Sequence, residues 1–381
     1  MKFYKPRLCV FALALCLALG VSGCDLFEKE YRVEAEYVDS ASALKDDPGV
    51  ITVQNYIGMK NALLSLINSG EEYGTIRTDK YRGSAEDDIS RACFEVTRET
   101  PIGLYAVDYM THSVSQILSY YQMEIYIRYK RSADEIAGVT TVYSSQEAYE
   151  LIKTALESFD ASVAILQVSS SLSESEIIDF VDETYLSSLQ NIPEKPKLSV
   201  YTYAAEEDAI QRITEVCFDY SQPKSELRER SRQLRDYAYS FYDSSNFGSL
   251  SHLCSGIMER AKPGLTGKTA YNALFGTNFA DSEGYALAVK LLCMSGGIEC
   301  YVVKGKLNGS EHFWNIVNYG GAYYHIDLFT ADKKQLHAAY HTDDYMWGAY
   351  QWDNSLYPSC TGRQGVLPPD ETAGEGNEGE T

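Results

Sequence analysis

The sequence predicts an α+β protein made of two domains, and three observations support this prediction. Segments with helical periodicity alternate with runs of β-branched and aromatic residues between residues 51 and 220. A nearly continuous apolar helix is predicted from Ser282 to Met294, and Gly296-Gly297 ends it. Three strand-like runs follow this helix. We therefore expect a C-terminal domain with a central helix packed on an antiparallel sheet, preceded by an α+β N-terminal domain.

The first 23 residues have the features of an export signal. Basic residues at positions 2, 5 and 7 precede an uncharged run from Leu8 to Gly20. This run is too short to cross a bilayer as a helix, which needs about 20 apolar residues. An uncleaved membrane anchor is the alternative, and the shortness of the run argues against it.

The residues Val21-Ser22-Gly23-Cys24 resemble the lipobox of bacterial lipoproteins. The resemblance implies that residues 1–23 are removed as a signal peptide and that Cys24 is acylated with a fatty acid such as palmitate. It also implies that the lipid anchors the protein to the bacterial cell membrane, with the chain on the cell surface, outside the cytoplasm. Residues 24–48 are then a charged tether between the lipid and the fold.

The charge of the chain excludes one class of partner. The net charge of −21 becomes −24 once the three cations of the signal segment are gone. Such a charge repels phosphate backbones, and no basic stripe overrides it, so we expect no nucleic acid partner. Membrane contact is expected through the lipid, and no cofactor is predicted.

Six cysteines follow Cys24, and none forms a C-x-x-C pair. This spacing excludes a paired zinc-knuckle site, and no metal site is predicted. Export permits disulfides, but the spacing does not select a pairing, and buried free thiols are the alternative. His337 and His341 have helical i, i+4 spacing but lack the glutamate of a zinc-protease motif.

The N-terminal domain is predicted over residues 49–225. Its candidate elements are helices at Tyr56–Asn68 and Gln146–Phe159 and strands at Gly103–Asp108, Met123–Tyr129 and Leu198–Tyr203. No internal repeat is predicted. The 31 tyrosines suggest either a carbohydrate-binding surface or ordinary strand and core packing, and packing is the more common role.

The C-terminal domain is predicted over residues 226–365. It opens with an amphipathic helix from Leu227 to Tyr242 and ends before an acidic tail, residues 366–381, that we expect to be disordered because it has almost nothing apolar to bury. Turn residues from Asp243 to Gly248 follow the opening helix, so the boundary between the domains is expected between residues 220 and 248.

The spacing in the C-terminal sheet places two polar side chains together. Strands are predicted at Glu299–Gly305, Glu311–Val317 and Ala322–Leu328, with a turn at residues 318–321. His312 and Asp327 then lie opposite or one diagonal step apart, with Cβ atoms about 5 to 8 Å from each other. The pair is a candidate base and orienting carboxylate.

Ser282 begins the central helix, where backbone N–H groups point outward and the helix dipole is positive. A nucleophile there would have its anion stabilised, and the same N–H groups could bind an oxyanion. The simpler interpretation is that Ser282 caps the helix.

Several ordered blocks resemble the transglutaminase-like superfamily. They cover roughly residues 249 to 360 and comprise Thr269–Leu274, Ser282–Ala286, Gly297–Val302, His312–Val317, Tyr323–Asp327, Tyr350–Asp353 and Tyr357–Cys360. The resemblance implies a papain-like fold with a nucleophilic cysteine at a helix N-terminus and a histidine and aspartate on adjacent strands. Those positions are Ser282, His312 and Asp327 here, so serine replaces the cysteine.

The serine decides between the functions that the resemblance allows. A thiol near a helix terminus and an imidazolium ionises at neutral pH, whereas a hydroxyl must lose its proton to the base during attack. We therefore favour a catalytically silent or weak domain that binds peptide or cell-envelope material, with Trp314, Tyr285 and Tyr271 as candidate binding residues.

Two other functions stay open. One is an acyl hydrolase or transferase, with protease-like or amide-cleaving activity, that uses Ser282, His312 and Asp327. The other is an assembly role in which the N-terminal domain engages an envelope protein and the C-terminal domain is a scaffold, so that binding would survive deletion of residues 249–381.

Overall fold

The computed structural model describes residues 49–79, 81–169, 172–188, 190–243, 250–276 and 279–367. Cys24, the signal segment, the tether and most of the acidic tail lie outside these residues. The first two residues of the predicted tail are ordered, contrary to expectation: Val366 belongs to a short strand, and Leu367 is buried in the largest core because it is apolar. No helix within the described ranges is long and apolar enough to cross a membrane.

The first folded unit, residues 50–129, is a four-stranded sheet with helices on one face. Its strands lie in the order β1-β2-β4-β3; β1 and β2 are parallel and the other pairs are antiparallel. Its elements are β1 (Val50–Val53), α1 (Tyr56–Asn68), β2 (Tyr73–Asp79), α2 (Ala85–Glu99), α3 (Pro101–Ala106), β3 (Val107–Ile117) and β4 (Tyr120–Tyr129).

The second unit, residues 140–219, follows a short helix, α4 (Ala133–Ala137). Its strands lie in the order β5-β6-β8-β7, again with one parallel pair and two antiparallel pairs. Its elements are β5 (Thr140–Val142), α5 (Ser145–Ser158), β6 (Ser162–Gln167), α6 (Glu174–Ser187), β7 (Lys197–Tyr203) and β8 (Arg212–Asp219).

The two units have the same topology, so the expectation of no internal repeat is wrong for the structure. Asn55 and Ser144 cap the first helix of each unit, and Ser84 and Ser173 cap the second, with the same spacing in both pairs. The repeat is carried by caps and by buried positions rather than by identical residues, which is why inspection of the sequence missed it.

The outer face of the second sheet packs against the first unit. The Tyr105 ring of α3 meets Tyr203 edge-on, with ring centroids 5.2 Å apart. Arg131 Nη2 lies 2.6 Å from Glu215 Oε2 and 2.8 Å from the Tyr203 hydroxyl. Only 4% of Glu215 is exposed, so this ion pair is part of the contact between the units.

The corresponding face of the first sheet is open. Glu124 lies opposite Thr75 in the first sheet, and Glu215 lies opposite Ala164 at the matching position of the second sheet. Within the described residues, however, no side chain forms an ion pair with Glu124, and the neighbouring Tyr126 is 48% exposed.

The C-terminal part, residues 224–367, is built around the buried helix α10 (Ser282–Ser295). Its main sheet has the order β13-β12-β11-β15. Its other helices are α7 (Lys224–Asp243), α8 (Leu250–Arg260), α9 (Ala270–Leu274), α11 (Leu328–Lys333), α12 (Asp343–Met346) and a 3-10 turn (Asn354–Leu356). Its strands are β9 (Lys262–Pro263), β10 (Phe279–Ala280), β11 (Cys300–Leu307), β12 (Ser310–Tyr319), β13 (Ala322–Ile326), β14 (Ala339–Tyr340), β15 (Tyr350–Gln351) and β16 (Gly365–Val366).

Most predicted elements coincide with the observed ones, and two differ. Gly103–Asp108 is mainly helical rather than a strand, because Thr100 caps α3 and Pro101 occupies its first turn, where proline is favourable. The predicted strand Ala322–Leu328 stops at Ile326 because Asp327 caps α11. The mixed α and β architecture is as expected.

The largest hydrophobic core contains residues from Val142 to Leu367 and therefore continues across position 226. A second core belongs to the first unit and also takes in Ala164 and Ile213 of the second sheet. The packing thus joins the second unit to both of its neighbours. The six described cysteines are free, and all but Cys217 are buried.

Candidate functional site

Ser282 lies at the first position of α10, and Asp281 caps this helix. Asp281 Oδ1 accepts hydrogen bonds from Glu283 N at 3.1 Å and from Gly284 N at 3.2 Å. An aspartate is a favourable N-cap because it satisfies amides that have no partner within the helix. The cap therefore occupies two of the N–H groups that the sequence suggested for an oxyanion, and it adds a negative charge beside Ser282.

The Ser282 hydroxyl connects α10 to the central sheet. Its Oγ accepts a hydrogen bond from Phe313 N at 3.2 Å. Pairing between β12 and β13 stops at Asn315 opposite Ile326, so β12 continues beyond the end of its partner. The serine satisfies a strand amide there, since buried backbone N–H groups need an acceptor.

His312 and Asp327 form a buried pair. His312 Nε2 lies 2.7 Å from Asp327 Oδ2, and the two residues are 6% and 8% exposed. Asp327 Oδ1 also accepts a hydrogen bond from Thr330 N. Burial raises the pKa of Asp327, but the hydrogen bonds from His312 and Thr330 outweigh this effect and hold that pKa below its usual range.

The structure brings Ser282, His312 and Asp327 together around the start of α10. In the described part of the chain, Ser282 Oγ has its hydrogen bond with Phe313 and none with His312. The His–Asp pair is therefore assembled, whereas the serine hydroxyl takes part in a structural contact.

Two further residues support this pair and were missed by the sequence. The Tyr350 hydroxyl donates to Asp327 Oδ2 at 2.7 Å. Phe329 lies against the His312 ring, with centroids 5.9 Å apart. Neither residue belongs to a motif with a known function. Tyr350 begins one of the blocks that resemble the transglutaminase-like superfamily, and this position is the signal that could have identified it.

Trp314, a predicted binding residue, is 1% exposed and packs behind the site. Its ring lies nearly parallel to that of His312 at a centroid distance of 6.2 Å. Its indole Nε1–H donates to His325 Nδ1 at 2.9 Å, and His325 Nε2 lies 2.8 Å from Asp343 Oδ1. Trp314 therefore packs against the His312 ring inside the core. A role of Trp314 in binding a ligand stays a prediction.

The other two predicted binding residues also make internal contacts. Tyr285 is 1% exposed and its hydroxyl donates to Asp332. The Tyr271 hydroxyl donates to Gln233 of α7 at 3.1 Å. In this structure both residues join helices, so their predicted contact with a ligand is also still a prediction.

His325, Asp343 and Cys360 place one possible ligand atom each within 4.8 Å of one another. Trp314 is only a donor, so the hydrogen bond to His325 Nδ1 requires that Nδ1 carry the lone pair and Nε2 the proton. Nε2 therefore has no lone pair for a metal unless the ring loses this proton too. The contacts favour a hydrogen-bonded His–Asp pair over a metal centre.

Glu283 is a third residue that the sequence did not single out. It is 8% exposed, and its carboxylate lies 3.8 Å from Lys268 Nζ. Burial raises the pKa of Glu283 to about 7, although Lys268 lowers it and Asp281 raises it further. A carboxyl group that titrates near neutral pH thus lies next to Ser282.

No family model and no curated protein matches the chain. Among solved structures, a crystal structure of a TGase matches with 12% sequence identity and a TM-score of 0.23. The match covers 54% of this chain and 60% of that chain. A likeness of this size is a weak resemblance to a transglutaminase and identifies no activity.

Proposed function

We propose that the protein is an exported lipoprotein, anchored through Cys24 to the outer side of a bacterial cell membrane. Its C-terminal domain is a transglutaminase-like, papain-like domain without effective catalysis. The residues Ser282, His312 and Asp327 are a degenerate catalytic triad, and the domain binds peptide or cell-envelope material.

One observation carries the proposal of catalytic silence: the Ser282 hydroxyl accepts a hydrogen bond from Phe313 N, and the adjacent helix amides serve Asp281. Acyl transfer by a serine needs a base within hydrogen-bond reach of the hydroxyl and free donors for the oxyanion. The negative charge of Asp281 also opposes the charge that develops during attack. These contacts suit a hydroxyl that joins α10 to β12 better than a nucleophile.

A specific observation supports the second candidate, a serine acyl hydrolase or transferase. A carboxylate bound to one imidazole nitrogen orients the ring and leaves the other nitrogen for the nucleophile; Asp327 Oδ2 lies 2.7 Å from His312 Nε2, which leaves Nδ1 for that role. Activity would require the Ser282 side chain to turn from Phe313 N towards His312, and donors other than the amides bound to Asp281 to receive the oxyanion. The two candidates differ in whether removal of the Ser282 hydroxyl removes activity.

The test compares the soluble chain beginning at Asp25 in four forms: the natural protein, Ser282→Ala, Ser282→Cys and Ser295→Cys. Hydrolysis and amine transfer are measured on a library of glutamine-containing peptides, together with binding of the same peptides. We expect no turnover by the natural protein and equal peptide binding by the natural protein and Ser282→Ala.

Ser295→Cys, at the other end of α10, controls for reactions of an added thiol. Turnover that appears only in Ser282→Cys supports a silenced enzyme with a working His–Asp pair. Turnover by the natural protein that disappears in Ser282→Ala overturns the proposal in favour of the serine enzyme. Absence of both turnover and peptide binding in all four forms leaves the scaffold role and also overturns it.

A further inference from the structure

One oxygen of Asp327 accepts two hydrogen bonds. Oδ2 lies 2.7 Å from His312 Nε2 and 2.7 Å from the Tyr350 hydroxyl, whereas Oδ1 accepts from Thr330 N. His312 and Tyr350 come from different strands of one sheet, and their rings meet edge-on at 6.1 Å. Tyr350 therefore contacts the base and its orienting carboxylate at once.

We propose that Tyr350 is a positioning residue that fixes Asp327 and, by sharing Oδ2 with His312, limits how strongly this carboxylate supports a protonated imidazole. The inference rests on the proposed assignment of His312 and Asp327 as the pair of the degenerate triad. It adds a reason for weak catalysis that lies outside the three triad positions.

The physical basis is competition for one acceptor. A carboxylate stabilises an imidazolium through a charge-assisted hydrogen bond, and a second donor on the same oxygen withdraws part of that charge. Without the Tyr350 hydroxyl, His312 is the one remaining donor to Asp327 Oδ2 among the described residues. The protonated ring is then favoured over a wider pH range.

The groups packed around His312 and Asp327 determine what else could influence protonation of the His312 ring. Within the described residues, the other titratable groups around the pair include His341, opposite His325 and within electrostatic reach of Asp327, and Tyr345, which stacks on His341 at 3.9 Å. They also include the exposed Glu311 next to His312, the buried Glu283 and the capping Asp281 on either side of Ser282, and Lys333, whose ammonium lies over the Phe329 ring. Of these, Tyr345 offers a matched control because it is a nearby tyrosine that does not contact Asp327.

The experiment follows the imidazole signals of the soluble chain by NMR as a function of pH. The protein has 6 histidines, and the His312 signal is the one that disappears in His312→Asn. In Tyr350→Phe we expect the midpoint of the His312 titration to move to higher pH by roughly half a unit or more. Tyr345→Phe should leave it in place.

The effect should depend on the carboxylate. In an Asp327→Asn background, Tyr350→Phe should no longer move the His312 midpoint. An unchanged or lower midpoint in Tyr350→Phe with Asp327 present overturns the inference, as does an equal shift in Tyr345→Phe. The titration requires neither turnover nor a bound peptide, so its failure is separate from failure of the proposed function.

A second variant covers the case in which Tyr350→Phe does not fold. Replacement of Tyr350 by a difluorotyrosine keeps the ring and the hydroxyl but makes the hydroxyl a stronger donor. The His312 midpoint should then move to lower pH, the opposite direction. A shift to higher pH in this variant would contradict the inference.

Discussion

At the scale of single residues, the start of α10 shows how neighbouring side chains limit a reactive position. Asp281 accepts hydrogen bonds from the helix amides of Glu283 and Gly284, and Ser282 accepts one from the Phe313 amide. The Glu283 side chain is buried beside them. The two sets of hydrogen bonds are favourable for the fold, whereas burial of the Glu283 carboxylate is unfavourable. Together they give the helix terminus an acidic environment in place of the positive one expected from the helix dipole alone.

Glu283 gives a prediction about pH and stability. Its folded-state pKa of about 7 lies above the usual 4.5, so the folded chain holds a proton that the unfolded chain has already released between these values. Stability from this group is fully present below about pH 4.5 and is lost as pH rises to about 7. Glu283→Gln should therefore be more stable than the natural protein at pH 8, by about 1–3 kcal/mol, and equal to it at pH 4.

Urea unfolding of both proteins at the two pH values measures the difference. Glu157→Gln is the control, since Glu157 is exposed on α5, away from the charges that act on Glu283, and should give no pH-dependent difference. Equal destabilisation of Glu283→Gln at both pH values would show that Glu283 is not a protonated buried group.

The sequence predicted the His–Asp pair but not its surroundings. The pairing of His312 with Asp327 follows from the strand spacing, because register is periodic and a short turn limits the choices. Tyr350 approaches Asp327 from a strand of only two residues, and no local pattern predicts such an approach. The same holds for the direction of the Ser282 hydroxyl, which depends on where β13 ends.

At the scale of elements, the duplicated sheets supply a comparison within one molecule. Long helices such as α1, α5 and α10 were predicted because their apolar periodicity is strong. The apolar residues of the short helix α3 predict a strand instead, although Thr100 and Pro101 indicate a helix start. The two units of equal topology also differ in their tertiary contacts. The outer face of the second sheet is covered by the first unit, whereas the matching face of the first sheet is open.

The two equivalent glutamates should differ in their effect on stability. Glu215→Ala removes the buried carboxylate that pairs with Arg131, leaves this arginine with Glu135 and the Tyr203 hydroxyl, and should destabilise the protein by about 2–4 kcal/mol. Glu124→Ala, at the matching position of the open sheet face, should change stability by less than about 0.5 kcal/mol. Chemical denaturation of both variants tests this.

Arg131→Ala is the control for the pair, and the double variant with Glu215→Ala should be less destabilised than the sum of the single ones. If Glu124→Ala were as damaging as Glu215→Ala, the first sheet face would have to be covered as well.

At the scale of the whole molecule, the second unit packs against both the first unit and the C-terminal part and so joins them. The large core extends from Val142 to Leu367, while Ala164 and Ile213 belong to the core of the first unit. The architecture changes between Asp219 and Lys224, at the edge of the range from 220 to 248 in which the sequence predicts a domain boundary, but apolar packing continues across this point. Sequence patterns report local turns and cannot show which faces later pack together.

The proposed anchor gives a prediction for the whole protein. Cys24→Ala should remove lipidation, so the protein should move from the membrane fraction to the soluble fraction, while its folded part keeps the same thermal stability. Fractionation and labelling with a palmitate analogue measure this. Cys93→Ala is the control for general loss of a thiol.

A membrane-bound Cys24→Ala protein without label would contradict the proposed lipid anchor and favour the uncleaved anchor. The control should keep its label and its membrane location. Because Cys93 is buried in the first core, its variant is compared only for location.

The Ser282–Phe313 contact also limits which residues this position can accept without loss of stability. A hydroxyl accepts the strand amide well, whereas a thiol is a weak acceptor. A cysteine at this position would supply a more reactive group and at the same time weaken the hydrogen bond that joins α10 to β12. Reactivity and stability at the start of α10 are therefore opposed, because both depend on the same atom.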